Sequence, residues 1–128
     1  MKWQYIILMG TLLAALAVAM GAFGAHALND YLVQSGRLNT YHTAVQYQMY
    51  HSFGLIIAGV LLSKYNVSMI KYASVFFALG ILLFSFFLYI LCFTNNSTFA
   101  LFAPVGGLSY IVGWTLLGVG IYKTINKQ

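Results

Sequence analysis

Residues 42–51, His-Thr-Ala-Val-Gln-Tyr-Gln-Met-Tyr-His, set two histidines, two glutamines, two tyrosines and a threonine directly before an apolar segment at 53–62. Three chemistries suit that set. An imidazole has an ordinary pKa of about 6.5 and changes charge within the physiological range, so His51 with Gln46 and Gln48 fits a proton or cation relay, or a small ligand held by hydrogen bonds. Metal or haem ligation is the second, with His26, His42, His51, Met20, Met49 and Cys92 as donors that would suit copper or haem. The third is structural: histidine, glutamine and tyrosine hydrogen-bond across a helix bundle at about 0.6–2 kcal/mol each. No spacing matches a single-helix metal signature such as H-x₃-H, and His42 and His51 fall on opposite sides of their helix, so no cofactor is expected. Nor is catalysis expected. The only carboxylate, Asp30, has no serine or cysteine obviously beside it to activate.

Composition says what frame must hold these residues. Of 128 residues, 62% are hydrophobic and 5% charged, whereas a water-soluble domain carries about 25% charged residues. The chain is therefore read as an integral membrane protein in one domain, an all-α bundle of four spanning helices at about 4–27, 44–63, 71–93 and 104–122, each near the ~20 residues a bilayer needs. The six basic residues, Lys2, Arg37, Lys64, Lys71, Lys123 and Lys127, stand singly, so the net charge of +5 marks no nucleic-acid surface. Four spans put both termini and the middle loop on one side, which collects every basic residue except Arg37. The excess of lysine predicts that both termini are cytoplasmic and that His26, Asp30, His42, Gln46 and Gln48 lie at the outer face, with His51 below them.

The first span is apolar apart from Gln4, Tyr5, Thr11 and His26. Lys2 and Ala25-His26-Ala27 fit a secretory signal, but the apolar run exceeds a signal core. At 100° per residue Gly10, Ala14, Ala17, Gly21, Gly24 and Leu28 lie within about 80° of one another, a strip of small residues that lets another helix approach closely. Residues 28–43 are expected to be a partly amphipathic outer loop in which Asn29 caps a short helix, while His26 pairs with Asp30 at (i, i+4) if the first helix continues that far. His51 stands about 20 Å from Lys64 at 1.5 Å per residue, so it hangs on the order of 10 Å below the outer surface. His51, Gly54 and Ala58 share a face, predicted to meet a neighbouring helix. The third span, rich in phenylalanine, is expected to face lipid over much of its girth, with Cys92 a small packing residue. Pro104 suits the first turn of the fourth helix. Gly106 and Gly107 there offer amides to an anion such as a lipid phosphate, or allow close packing against the second helix. Gly106, Ser109, Gly113 and Gly120 make a second close-packing strip.

Gly21-Ala22-Phe23-Gly24-Ala25-His26, Thr43-Ala44-Val45-Gln46-Tyr47-Gln48-Met49-Tyr50-His51, Pro104-Val105-Gly106-Gly107-Leu108 and Gly113-Trp114 together resemble the domain-of-unknown-function 423 family of small bacterial membrane proteins, which is similar to eukaryotic transmembrane protein 256. The resemblance covers nearly the whole chain. It implies a four-helix protein of a bacterial cell membrane and brings no catalytic or binding residues with it. Two glycine strips exceed what one neighbour requires, so a homo-oligomer is expected. The functional expectation is an outer-facing polar pocket of His51, Gln46, Gln48, His26, Asp30 and His42 that binds or passes a small solute, ion or lipid headgroup. The alternative is an accessory subunit of a larger membrane complex, with the polar cluster serving as interhelical glue.

Overall fold

The computed structural model describes residues 2–125; Lys127 lies outside them. Among the described residues every regular element is helical: α1 (Trp3–Ala25), α2 (Asn29–Gln34), α3 (Leu38–Lys64), α4 (Ser68–Gly80), a π-helical stretch (Ile81–Phe86), α5 (Phe87–Thr94), a 3₁₀ turn (Ser97–Phe102) and α6 (Ala103–Ile125). The runs Trp3–Ala25, Ser68–Thr94 and Ser97–Ile125 are long and apolar enough to cross a membrane. Helix α3 matches them in length, but its polar head keeps it out of that set.

Packing proceeds as two antiparallel hairpins laid side by side. Helix α1 rests mainly on α3, α4 rests mainly on α6, and α3 joins the pairs through α4, the π stretch and α5. The small-residue strips make both hairpins close. Gly10 lies under Ser52 and Ile56, Gly21 beside Val45 and Gly24 against the Tyr41 ring, while Gly106 abuts the backbone at Leu83 and Phe84, Gly113 faces Phe77 and Gly120 faces Ile70. Ala17 is buried in the same α1 strip and Ala14 is half-buried. Both strips thus serve contacts within one chain, which removes the surplus surface on which the expected homo-oligomer rested.

The structure moves several boundaries. Helix α3 starts at Leu38, so His42 and Thr43 belong to the helix and not to a loop. Asn29 is the first residue of α2 and makes no side-chain cap. Gly36 turns the chain between α2 and α3 at φ +68°, a conformation open to glycine. Leu32 is fully buried and the Tyr31 hydroxyl donates to the carbonyls of Cys92 and Phe93, 3.1 and 3.2 Å away, so α2 closes one end of the bundle. Arg37 sits at that end, its Nε 3.0 Å from Asn95 Oδ1. Lys2, Lys71 and Lys123 border hollows at the other.

The third apolar run packs more of its surface than the other two candidate spans, and α1 packs the least, while Tyr72, Val75, Leu79, Leu82, Ile90 and Phe93 stay exposed as expected of a lipid-facing side. Hydropathy cannot tell a lipid-facing phenylalanine from a packed one. What decides is the small residues between them, Ala73, Ser74, Gly80, Ser85 and Cys92, all buried. Phe77, Ile81, Ser85 and Tyr89 are buried at four-residue intervals. In an ideal α-helix such steps drift by about 40° each. The wider π turn absorbs that drift and keeps all four inside.

Gly118 is exposed, and a Cβ there would meet nothing within 4 Å. Gly118→Ala should leave the fold unchanged or stabilise it by up to about 1 kcal/mol, read as thermal unfolding in detergent. Lowered stability would reveal a contact from a second chain on this face.

Candidate functional site

The predicted polar pocket separates into three parts. His26, Asp30, His42 and Gln46 are exposed. Helix α1 ends at Ala25 and His26 leaves helical geometry at φ −118° and ψ −80°, so the chain does not continue as the helix that an (i, i+4) pair with Asp30 requires. His26 borders only a shallow apolar hollow with Ala19, Ala22, Phe23 and Ala27. Among the described residues no three His, Cys, Asp or Glu side chains come together around one point.

Gln48 is the second part, and it joins helices. Fully buried, it donates from Nε2 to the Leu13 carbonyl at 2.8 Å and accepts the Tyr89 hydroxyl on Oε1 at 2.9 Å, tying α1, α3 and α5 together. Ser52 Oγ donates to the Gln48 carbonyl at 2.6 Å, which seals the same seam. The glue reading therefore describes this residue.

His51 is the third part. The residue is 4% exposed and its ring lies flat on Tyr110, centroids 3.3 Å and planes 9° apart, with Phe77 and Trp114 at 5.8 and 6.0 Å. Gly54 and Ala58 are buried on the same face of α3, as predicted, and Gly54 admits the Phe77 ring. Nδ1 is 2.6 Å from the Tyr47 carbonyl oxygen. A carbonyl only accepts, so Nδ1 carries the proton and in the neutral ring Nε2 is an acceptor. Nε2 has no protein partner, yet among the described residues no fully shielded side-chain nitrogen or oxygen lacks one. Nε2 is therefore reachable from outside the packed interior.

What reaches it is a cleft of ≈ 580 Å³ between α3 and α6, lined by Tyr47, Tyr50, His51, Phe84, Gly107, Tyr110, Ile111 and Trp114. Tyr47, Tyr50 and Trp114 are exposed at its mouth, on the flank of the bundle. Tyr47 packs on Phe84 at 4.8 Å, and the Tyr110 hydroxyl meets Ser85 Oγ at 3.4 Å. Both Phe84 and Ser85 belong to the π stretch, so the irregular turn forms the cleft's back wall. Gly106 and Gly107 play different parts from an anion cradle. Gly106 is pressed against the Phe84 backbone, Gly107 lines the cleft, and the Ala103 N–H at the head of α6 already donates to the Ala100 carbonyl. Sequence reasoning missed Phe84, Tyr110 and Trp114. The available signal was Tyr110, a bulky ring set inside the small-residue strip Gly106, Ser109, Gly113.

These features define a small, all-helical integral membrane protein with a single buried imidazole opening sideways into an aromatic cleft. The chain belongs to the family described as Protein of unknown function (DUF423), which matches residues 20–107. Its relatives include UPF0382 membrane proteins of Staphylococcus haemolyticus, 37% identical over 95% of this chain and 98% of the relative, and of Bacillus subtilis, 38% identical over 94% and 98%. A UPF0382 inner membrane protein of Escherichia coli is 32% identical over 99% of this chain and 96% of its own. No solved structure matches.

Proposed function

We propose that this protein is a membrane-embedded binding protein, and not an enzyme, whose cleft between α3 and α6 takes up a small lipid-soluble molecule from the side. The observation that carries the reading is the reachable, unpartnered Nε2 of an otherwise buried histidine. A polar atom kept in apolar surroundings without a partner is costly, and a guest that hydrogen-bonds to it removes the cost. Cleft volumes of about 300–1,000 Å³ are those of small-molecule sites. In this reading all four long helices span the bilayer, both termini are cytoplasmic because Lys2, Lys64, Lys71 and Lys123 gather at their end, and the cleft lies in the outer half.

Binding is favoured over passage. Leu55, Ile70, Ala73 and Phe77 are packed in one core with Tyr110, the ring beneath His51. The reading needs only one chain, and neither a homo-oligomer nor a cofactor is required. An accessory role in a larger membrane complex remains the alternative from a different class, in which a partner's side chain fills the cleft.

Gly107→Leu tests the proposal cleanly, because a Cβ at Gly107 meets nothing within 4 Å and the larger side chain fills the cleft without displacing the core. Wild type in lipid nanodiscs, reconstituted from its native membrane, should retain a lipid-soluble small molecule by mass spectrometry that the variant lacks. Identical extracts from the two would refute the binding reading. A co-purifying protein lost in the variant instead would favour the accessory role.

A further inference from the structure

The cleft offers a guest very little polar chemistry, and that narrows what the guest is. Its walls are the rings of Tyr47, Phe84, Tyr110 and Trp114; the buried Tyr110 hydroxyl is engaged by Ser85, which leaves His51 Nε2 as the buried polar atom of the lining that no protein group holds. Because Nδ1–H is committed to the Tyr47 carbonyl, the neutral imidazole presents a lone pair and no hydrogen. A guest whose only polar atom is a carbonyl or ether oxygen would set lone pair against lone pair. A guest with a hydroxyl would donate to it. The near-parallel rings of Tyr110, His51 and Tyr47, 9° and 26° from the imidazole plane, favour a flat molecule. The exposed mouth leaves room for an apolar tail to remain among lipid chains.

Resting on the binding reading above, we propose that the cleft selects a flat ring bearing a hydrogen-bond-donating hydroxyl and an alkyl tail, a phenol or hydroquinone, over the same ring with its hydroxyl capped or oxidised to a carbonyl. His51 Nε2 is the group that makes the distinction.

The matched pair 4-nonylphenol and 4-nonylanisole differs only in whether the ring oxygen carries a hydrogen or a methyl. Each is equilibrated with the protein in nanodiscs, and probe retained per protein above empty nanodiscs is quantified by mass spectrometry. Wild type should hold the phenol about tenfold more tightly than the anisole, since a site that hydrogen-bonds its guest rejects an analogue lacking the donor. His51→Phe keeps a ring on Tyr110 but has no acceptor, and its preference should vanish while weak retention of both probes persists. Gly107→Leu should retain neither. Equal retention of the two probes by wild type overturns the donor selection and leaves the binding reading standing, whereas retention of neither overturns both. A preference that survives in His51→Phe shows that Nε2 is not the selector. If that variant fails to fold, the wild-type pair alone decides.

Discussion

Gly106→Leu should fail to seat α6 on the π stretch, whereas Gly107→Leu, one residue along, should fold normally. A Cβ at Gly106 would lie 2.5 Å from the Phe84 amide nitrogen, 2.7 Å from Phe84 Cβ and 2.9 Å from the Leu83 carbonyl carbon. Two of these are backbone atoms of the π stretch, so no rotamer change relieves the clash. Helix α6 would have to withdraw along a contact that also seats Gly113 on Phe77 and Gly120 on Ile70. Overpacking a core costs about 1–3 kcal/mol when side chains can shift. With backbone on one side and a leucine on the other, about 3 kcal/mol is expected, together with loss of the Tyr110 and His51 stack. Thermal unfolding in detergent followed by tryptophan fluorescence reads both, because Trp114 borders the cleft. A Gly106→Leu protein as stable as Gly107→Leu would mean that α6 does not pack on the π stretch this closely.

The contrast between these neighbouring glycines shows what was readable from the chain. Helical spacing picks out Gly10, Gly21, Gly24, Gly106, Gly113 and Gly120 as surfaces for close approach, because steric contact depends on side-chain size, which sequence states directly. It also puts His51 on a face with Gly54 and Ala58. The same spacing does not name the helix that approaches. For that reason the strips suggested a second chain, when α3, α4 and the π stretch of the same chain pack against them. Hydropathy did not show which side of α4, the π stretch and α5 turns inward for a related reason, since phenylalanine scores alike against lipid or against Tyr110. The π stretch was invisible because one wider turn leaves no mark on composition. Its effect, four inward residues at equal steps, becomes apparent only when burial is known. The pocket was misdrawn because polarity was treated as one signal, although His26, His42 and Gln46 are exposed while Gln48 and His51 sit inside.

Gln48→Leu is expected to destabilise the protein by about 2 kcal/mol, and adding Tyr89→Phe should restore part of that loss. The single change leaves the Tyr89 hydroxyl without its acceptor in a site where Tyr89 is only 5% exposed, and it strips the Leu13 carbonyl of its second donor. Hydrogen bonds between membrane helices contribute about 0.6–1.7 kcal/mol each, and an orphaned buried donor adds its own penalty of about 1–3 kcal/mol. Removing the hydroxyl as well abolishes that penalty, so the double variant should be the more stable of the two. The measurement is a double-mutant cycle by reversible unfolding in mixed detergent micelles. Losses that simply add would mean that the two side chains do not share a bond, and would undo the separation of Gln48 as glue from His51 as site. Probe binding supplies the complementary test. The Gln48→Leu protein, where folded, should still prefer 4-nonylphenol to 4-nonylanisole, because its buried seam against α1 and α5 is not part of the cleft lined by α3, the π stretch and α6.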